Sequence, residues 1–132
     1  SSPGEYMSIK WLRDDAAPGR IVEAVGGSWT DFGRISASTG LPTVLGWTWH
    51  ETQWHGSDRV SRGREGDVDR IYRSTDVEEA RGLLEKYAVR YVYVGARERD
   101  KYGAAGLEKF GQFMTPVFNS TDGSVVIYEM RQ

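Results

Sequence analysis

The sequence predicts an α/β fold, a three-layer α-β-α domain with a mostly parallel central sheet and a C-terminal antiparallel hairpin. Three observations carry this. Residues 77–87 hold an apolar stripe at helical spacing, and Arg90-Tyr91-Val92-Tyr93-Val94-Gly95 follows as a β-rich run with almost no charge. A helix leading closely into such a strand is the grammar of βαβ units and parallel sheets. Residues 21–25 and 41–45 are two more short apolar runs, each closed by a glycine, as buried parallel strands are. Residues 113–118 and 125–130 are strand-like and flank Asn119-Ser120-Thr121-Asp122-Gly123, whose Asp-Gly step marks a hairpin.

Size and composition narrow the classes. A chain of 132 residues makes one domain and buries roughly two-thirds of its unfolded surface, enough for a core without staples. It has no cysteine, so no disulfide, zinc–thiolate site or thiol nucleophile is available. A net charge of -2 offers no global basic field, and no nucleic-acid partner is expected. No run approaches the ~20 apolar residues of a membrane span. The start, Ser1-Ser2-Pro3, fits a piece of a larger protein, and that is the expectation.

Taken in order, Tyr6, Ile9, Leu12 and Arg13 fall at helical spacing, begun by Pro3-Gly4-Glu5 and stopped by Ala17-Pro18-Gly19. The strand at residues 21–25 carries one charge, Glu23, near its end. Gly26-Gly27-Ser28 then turns the chain into Trp29-Thr30-Asp31-Phe32-Gly33-Arg34. The glycines lack dinucleotide-loop spacing, and there is no Gly-Lys-Ser/Thr for a phosphate loop. Pro42 places itself at the start or on an edge of the 41–45 strand. Residues 57–65, polar and arginine-rich around Gly63, read as a loop. Residues 67–73 carry Val68, Ile71 and Tyr72 on one helical face. Thr75 with Glu78 fits a capping box for the next helix, whose stripe is Val77, Ala80, Leu83, Leu84 and Tyr87. Residues 96–102 are charged and partly helical, and Leu107 and Phe110 belong to a further short helix.

The chemistry concentrates in residues 40–56. A buried strand ends at Gly46, and three tryptophans and both histidines crowd into the next nine positions: Trp47, Trp49, His50, Glu51, Gln53, Trp54 and His55 among them. A polar-aromatic cluster after a strand is how an α/β domain presents a site at a carboxyl end. His50 and His55 resemble a zincin pair with one residue too many. Five residues of helix turn the second histidine roughly 140° from the first, so no metal is expected. No nucleophile elbow is present, and no catalytic residue is assigned. Asp31 and Glu51 lie at two strand ends, but Asp31 equally fits a helix N-terminus. Trp29, Trp47, Trp49 and Trp54 fit a sugar-stacking surface and fit packing against core, domain or membrane equally well. Arg59, Arg62, Arg64, Arg70 and Arg73 are interleaved with acids and read first as a solvated face; Arg62 or Arg64 is the residue that would meet a phosphate.

The run from Arg34-Ile35-Ser36-Ala37-Ser38-Thr39-Gly40-Leu41-Pro42 through Trp47, His50-Glu51 and Gln53-Trp54 resembles the C-terminal soluble part of the YYY-type family of polytopic membrane proteins. The resemblance continues through Ile71-Tyr72, Tyr87, residues 91–95, Glu98-Arg99 and Tyr102. His55 stands where the family pattern has arginine. The family is similar to membrane glycosyltransferases that use polyprenyl-phosphate-linked sugars. Trp29-Thr30-Asp31-Phe32-Gly33 also echoes the Trp-Trp-Asp-x-Gly motif of the oligosaccharyltransferase catalytic subunit, without its second tryptophan, so peptide-acceptor binding does not carry over.

The resemblance implies an extracytoplasmic soluble domain of a polytopic, glycosyltransferase-like membrane protein, not catalytic by itself. Its partner would be the membrane-embedded part of the same polypeptide, with a glycan or polyprenyl-phosphate sugar as ligand and no cofactor. The expected ligand-facing residues are Trp29, Asp31, Arg34, Trp47, Trp49, His50, Glu51, Gln53, Trp54 and Arg62. A stand-alone carbohydrate or small-ligand binding domain and a non-catalytic interaction module are the alternatives.

Overall fold

The computed structural model describes residues 3–17, 19–24 and 58–131, with the backbone alone described for 58–64. Helix α1 (Pro3–Asp14) leads to strand β1 (Arg20–Val22). After it come α2 (Asp58–Arg73), α3 (Val77–Lys86) and strand β2 (Val89–Val94). Three short helices follow, α4 (Ala96–Tyr102), α5 (Ala104–Leu107) and α6 (Phe110–Phe113). Strands β3 (Met114–Asn119) and β4 (Val126–Met130) close the chain as the expected hairpin.

The described sheet has four strands in the order β1-β2-β4-β3. β1 and β2 are parallel, while β2–β4 and β4–β3 are antiparallel. The expectation of a mostly parallel sheet is therefore corrected: antiparallel pairing predominates among the described strands. The physical reason lies in what an uncharged run reports. β2 is apolar because helices cover both of its faces, and that cover is indifferent to the direction of its neighbours. The 41–45 strand lies outside the described residues.

The pleat splits the core in two. Val22, Val92 and Val94 face one side, where they meet Val68, Ile71 and Tyr72 of α2, Ala80 and Leu84 of α3, and Leu107, Phe110 and Phe113. Ile21, Tyr91, Tyr93 and Ile127 face the other, under Leu12, Ile9 and Trp11 of α1. The two sides explain why β2 tolerates so little charge.

Two local expectations shift. Residues 58–65 belong to α2, not to a loop. Arginine and glutamate are good helix formers, and the buried face at Val68, Ile71 and Tyr72 supplies the packing that holds a helix. The cap of α3 is Asp76, one residue after Thr75; its carboxylate accepts from Glu78 N at 3.0 Å and Glu79 N at 3.4 Å. The apolar stripe of α3 is as expected, with Ala80 and Leu84 buried and Val77, Leu83 and Tyr87 packed on the same core.

Tight backbone approach explains one glycine. A Cβ at Gly106 would lie 2.4 Å from Tyr72 O and 3.0 Å from Arg73 O, so α5 seats directly on the last turn of α2. Lys109 secures the same joint: it is 3% exposed, and its Nζ donates to Tyr72 O at 2.9 Å and Gly106 O at 2.7 Å. Burial lowers its pKa to about 8.

Candidate functional site

Among the described residues, buried polar chemistry gathers where the parallel strands end. β1 runs out through Glu23 and Ala24, and β2 through Val94 and Gly95, where α4 begins. Carboxyl ends of adjacent parallel strands are the usual seat of a site in an α/β sheet. Here one side chain spans them. Glu98, in the first turn of α4, accepts from Gly95 N at 2.7 Å through Oε1 and from Ala24 N at 2.9 Å through Oε2. An acid at this place in a helix also suits the dipole.

Tyrosines reinforce the same end from both faces. The Tyr72 hydroxyl, from α2, lies 2.7 Å from Tyr93 O and 3.0 Å from Val22 O, so one proton is shared between the two strand carbonyls. Tyr93 sends its own hydroxyl to the α1 side, 3.1 Å from Ser8 Oγ. Ser8 commits its proton to Glu5 O at 2.6 Å, which leaves Tyr93 as the donor to Ser8. Burial pushes the Tyr93 and Tyr72 hydroxyls above the usual tyrosine range.

Glu23 sits beside this frame and is 1% exposed. Neither of its carboxylate oxygens has a hydrogen-bond partner among the described residues. Burial first, and the neighbouring Glu98 second, push its pKa well above the ordinary carboxylate range. Glu98 is pushed up by burial too, but the backbone N–H groups of Ala24 and Gly95 oppose that. Two buried acids are thus held unequally. Donated N–H groups favour the charged form of Glu98, while nothing described stabilises a charge on Glu23. Both are buried, and Glu98 ties the two strand ends together through Ala24 N and Gly95 N.

A second feature lies at the junction of α2 and α3. Asp69, Arg70, Arg73, Ser74, Thr75 and Glu79 line an open depression of about 430 Å³. The Arg73 guanidinium stands 5.2 Å from the Tyr102 ring centroid, and Tyr102 stacks on Tyr72 at 4.8 Å. Arg70 pairs with Asp67 at 2.7 Å. The charges are of both signs, as the interleaved sequence implied.

Trp29, Asp31, Arg34, Trp47, Trp49, His50, Glu51, Gln53 and Trp54 lie outside the described residues. Arg62 falls within the backbone of α2. The sequence reading noticed Glu23 as a lone charge near a strand end and did not connect it with Glu98. The available signal was Gly95-x-x-Glu98 directly after a buried strand, an acid three residues into a helix and able to reach back. Among the described residues no group of three or more His, Asp or Glu side chains is placed to hold a metal ion. No described helix is long and apolar enough to cross a membrane.

No protein-family profile and no curated protein matches the chain. Among solved structures it is similar to the C-terminal globular domain of oligosaccharyltransferase from Archaeoglobus fulgidus. The two share 13% sequence identity and superpose with a TM-score of 0.63 over 99% of each chain. At that identity the likeness is one of fold: the chain is built like the globular C-terminal domain of an oligosaccharyltransferase.

Proposed function

We propose that this chain is the globular domain of a glycosylation-related membrane protein, working beside a membrane-embedded part of the same polypeptide. The observation that supports it is the fold shared, end to end, with the C-terminal globular domain of an oligosaccharyltransferase. The resemblance of residues 34–54 to the YYY-type family points the same way. In this reading the domain stands on the extracytoplasmic side and performs no chemistry alone. Its role is to help position an acceptor or a polyprenyl-phosphate-linked sugar for an active site in the membrane.

The residues assigned to that contact are Trp29, Asp31, Arg34, Trp47, Trp49, His50, Glu51, Gln53 and Trp54, with Arg62 as a candidate phosphate contact. Aromatic faces would stack on the apolar faces of sugar rings, and the polar groups between them would fix hydroxyls.

The test uses the full-length parent protein in membranes, assayed for transfer of sugar from a polyprenyl-phosphate donor. Trp47→Ala and His50→Ala are each expected to lower transfer by at least about tenfold, the loss of one good contact. The far-ultraviolet circular dichroism of the 132-residue chain should stay unchanged. Transfer at the wild-type rate in both variants would overturn the proposal. Calorimetry of the chain alone against a glycan panel separates it from a stand-alone binding domain, which would give saturable heats without the membrane part.

A further inference from the structure

The least explained group in the described structure is Glu23. A carboxyl with 1% exposure and no partner for either oxygen among the described residues needs a reason, because buried polar groups are nearly always satisfied. The groups around it make ionisation in place unfavourable. Among the described residues, the titratable groups that interact with it electrostatically are Glu98 from α4, Tyr72 from α2 and Tyr93 from β2. None is a cation. The Tyr72 proton is taken by the carbonyls of Val22 and Tyr93, and the Tyr93 proton by Ser8. Glu98 keeps its oxygens on Ala24 N and Gly95 N. Arg99, the next residue, sends its guanidinium to Ser124 O.

We propose that Glu23 is a proton-operated latch on the carboxyl end of β1. Protonated, it stays seated beside Glu98 and keeps residues 21–24 in the sheet. When its O–H bond breaks and the proton passes to water, the carboxylate leaves the core for solvent. Ala24 is the adjacent residue, so this movement draws its N–H from Glu98 Oε2, the contact that pins β1 to α4. The latch therefore sets how firmly the chain is held at the point where it continues to Val25 and on to the tryptophan-rich stretch. It does not depend on the glycosylation reading.

The sign follows from linkage. A carboxyl that keeps its proton when seated and ionises when released makes the released state gain with rising pH. Above roughly pH 4.5, the ordinary glutamate value, the opening constant should rise about tenfold per pH unit until the seated carboxyl itself titrates. The experiment is an NMR pH series on the 132-residue chain, following the Glu23 side-chain carboxyl carbon and amide exchange at Ile21, Val22, Glu23 and Ala24. After correction for intrinsic exchange, protection of these amides should fall about tenfold per pH unit. In Glu23→Gln, whose amide cannot ionise, it should stay flat. The proposal is overturned if wild-type protection is flat, or if Glu23→Gln loses protection in parallel with the wild type. The carboxyl resonance decides even if the variant folds poorly: titration of Glu23 in the ordinary carboxylate range sinks the latch.

Discussion

Two glycine-to-alanine substitutions of identical chemistry should move stability in opposite directions. At Gly106 the new Cβ would sit 2.4 Å from Tyr72 O and 3.0 Å from Arg73 O. To regain a normal contact of ~3.5 Å the two backbones must part by about 1 Å. Tyr72 O is also an acceptor for Lys109, so the displacement strains that bond as well. Overpacking of this kind costs ~1–3 kcal/mol. Alanine returns ~0.4–1 kcal/mol by restricting the unfolded chain, which leaves a net loss between about zero and ~2.6 kcal/mol. At roughly 4 °C per kcal/mol for a domain of this size, the midpoint should fall by up to about 10 °C. At Gly82, inside α3, a Cβ meets nothing within 4 Å. There the same change removes only the helix penalty of glycine and should stabilise by ~0.5–1 kcal/mol. Thermal and urea unfolding followed by circular dichroism measure both. A Gly106→Ala midpoint above wild type would refute the close seating of α5 on α2, and with it the geometry that places Tyr72.

Three further outcomes follow from the hydrogen bonds. Tyr72→Phe strips the hydroxyl shared by Val22 O and Tyr93 O and should cost ~1–3 kcal/mol in urea denaturation, because both carbonyls are left in a dry core. Asp76→Ala removes the cap from Glu78 N and Glu79 N and should cost ~1 kcal/mol, with fraying of α3 visible as faster exchange of those amides. Asp122 ties the hairpin loop to α1, accepting from the hydroxyls of Ser120 and Ser124 and from Gly4 N at 3.2 Å. Those bonds hold its carboxyl well below the usual range, so its contribution is present above about pH 4 and is lost as pH falls toward the depressed value. Thermal midpoints of wild type and Asp122→Ala should therefore differ at neutral pH and converge in acid.

How much of this was legible depended on whether a feature is local. The α3 stripe from Val77 to Tyr87, the buried strand β2 and the C-terminal hairpin are each written in one stretch of sequence as periodicity and a turn. Strand direction is not. β2 reads the same whether β4 runs with it or against it, because its side chains report cover and not pairing. The helical start of α2 was hidden by its arginines and Gly63, which look like a loop until Val68, Ile71 and Tyr72 dock. The Glu23–Glu98 pair was hidden for another reason. Its members are separated by most of the chain, and only the parallel pairing of Ile21 with Tyr91 brings the strand ends together. The aromatic-polar stretch remains a reading of sequence and resemblance.

Tyr72 shows how the described part of the molecule holds that strand end. Its backbone carbonyl takes the Lys109 ammonium, its ring stacks on Tyr102 of α4, and its hydroxyl reaches the carbonyls of both parallel strands. Helix α5 presses on the same residue through Gly106. A shift of α2 by even a fraction of an ångström must then be felt at Val22, because a packed interior transmits strain and does not absorb it. Beyond Val22, Glu98 accepts from Ala24 N, and the Glu23 carboxylate has no hydrogen-bond partner among the described residues. Among the described residues, the end of β1 is thus supported by tyrosine and helix packing as far as Val22, and by one carboxylate beyond it. Loosening will begin at Glu23 and Ala24, and Tyr72→Phe should extend it back to Val22 in the amide-exchange pattern.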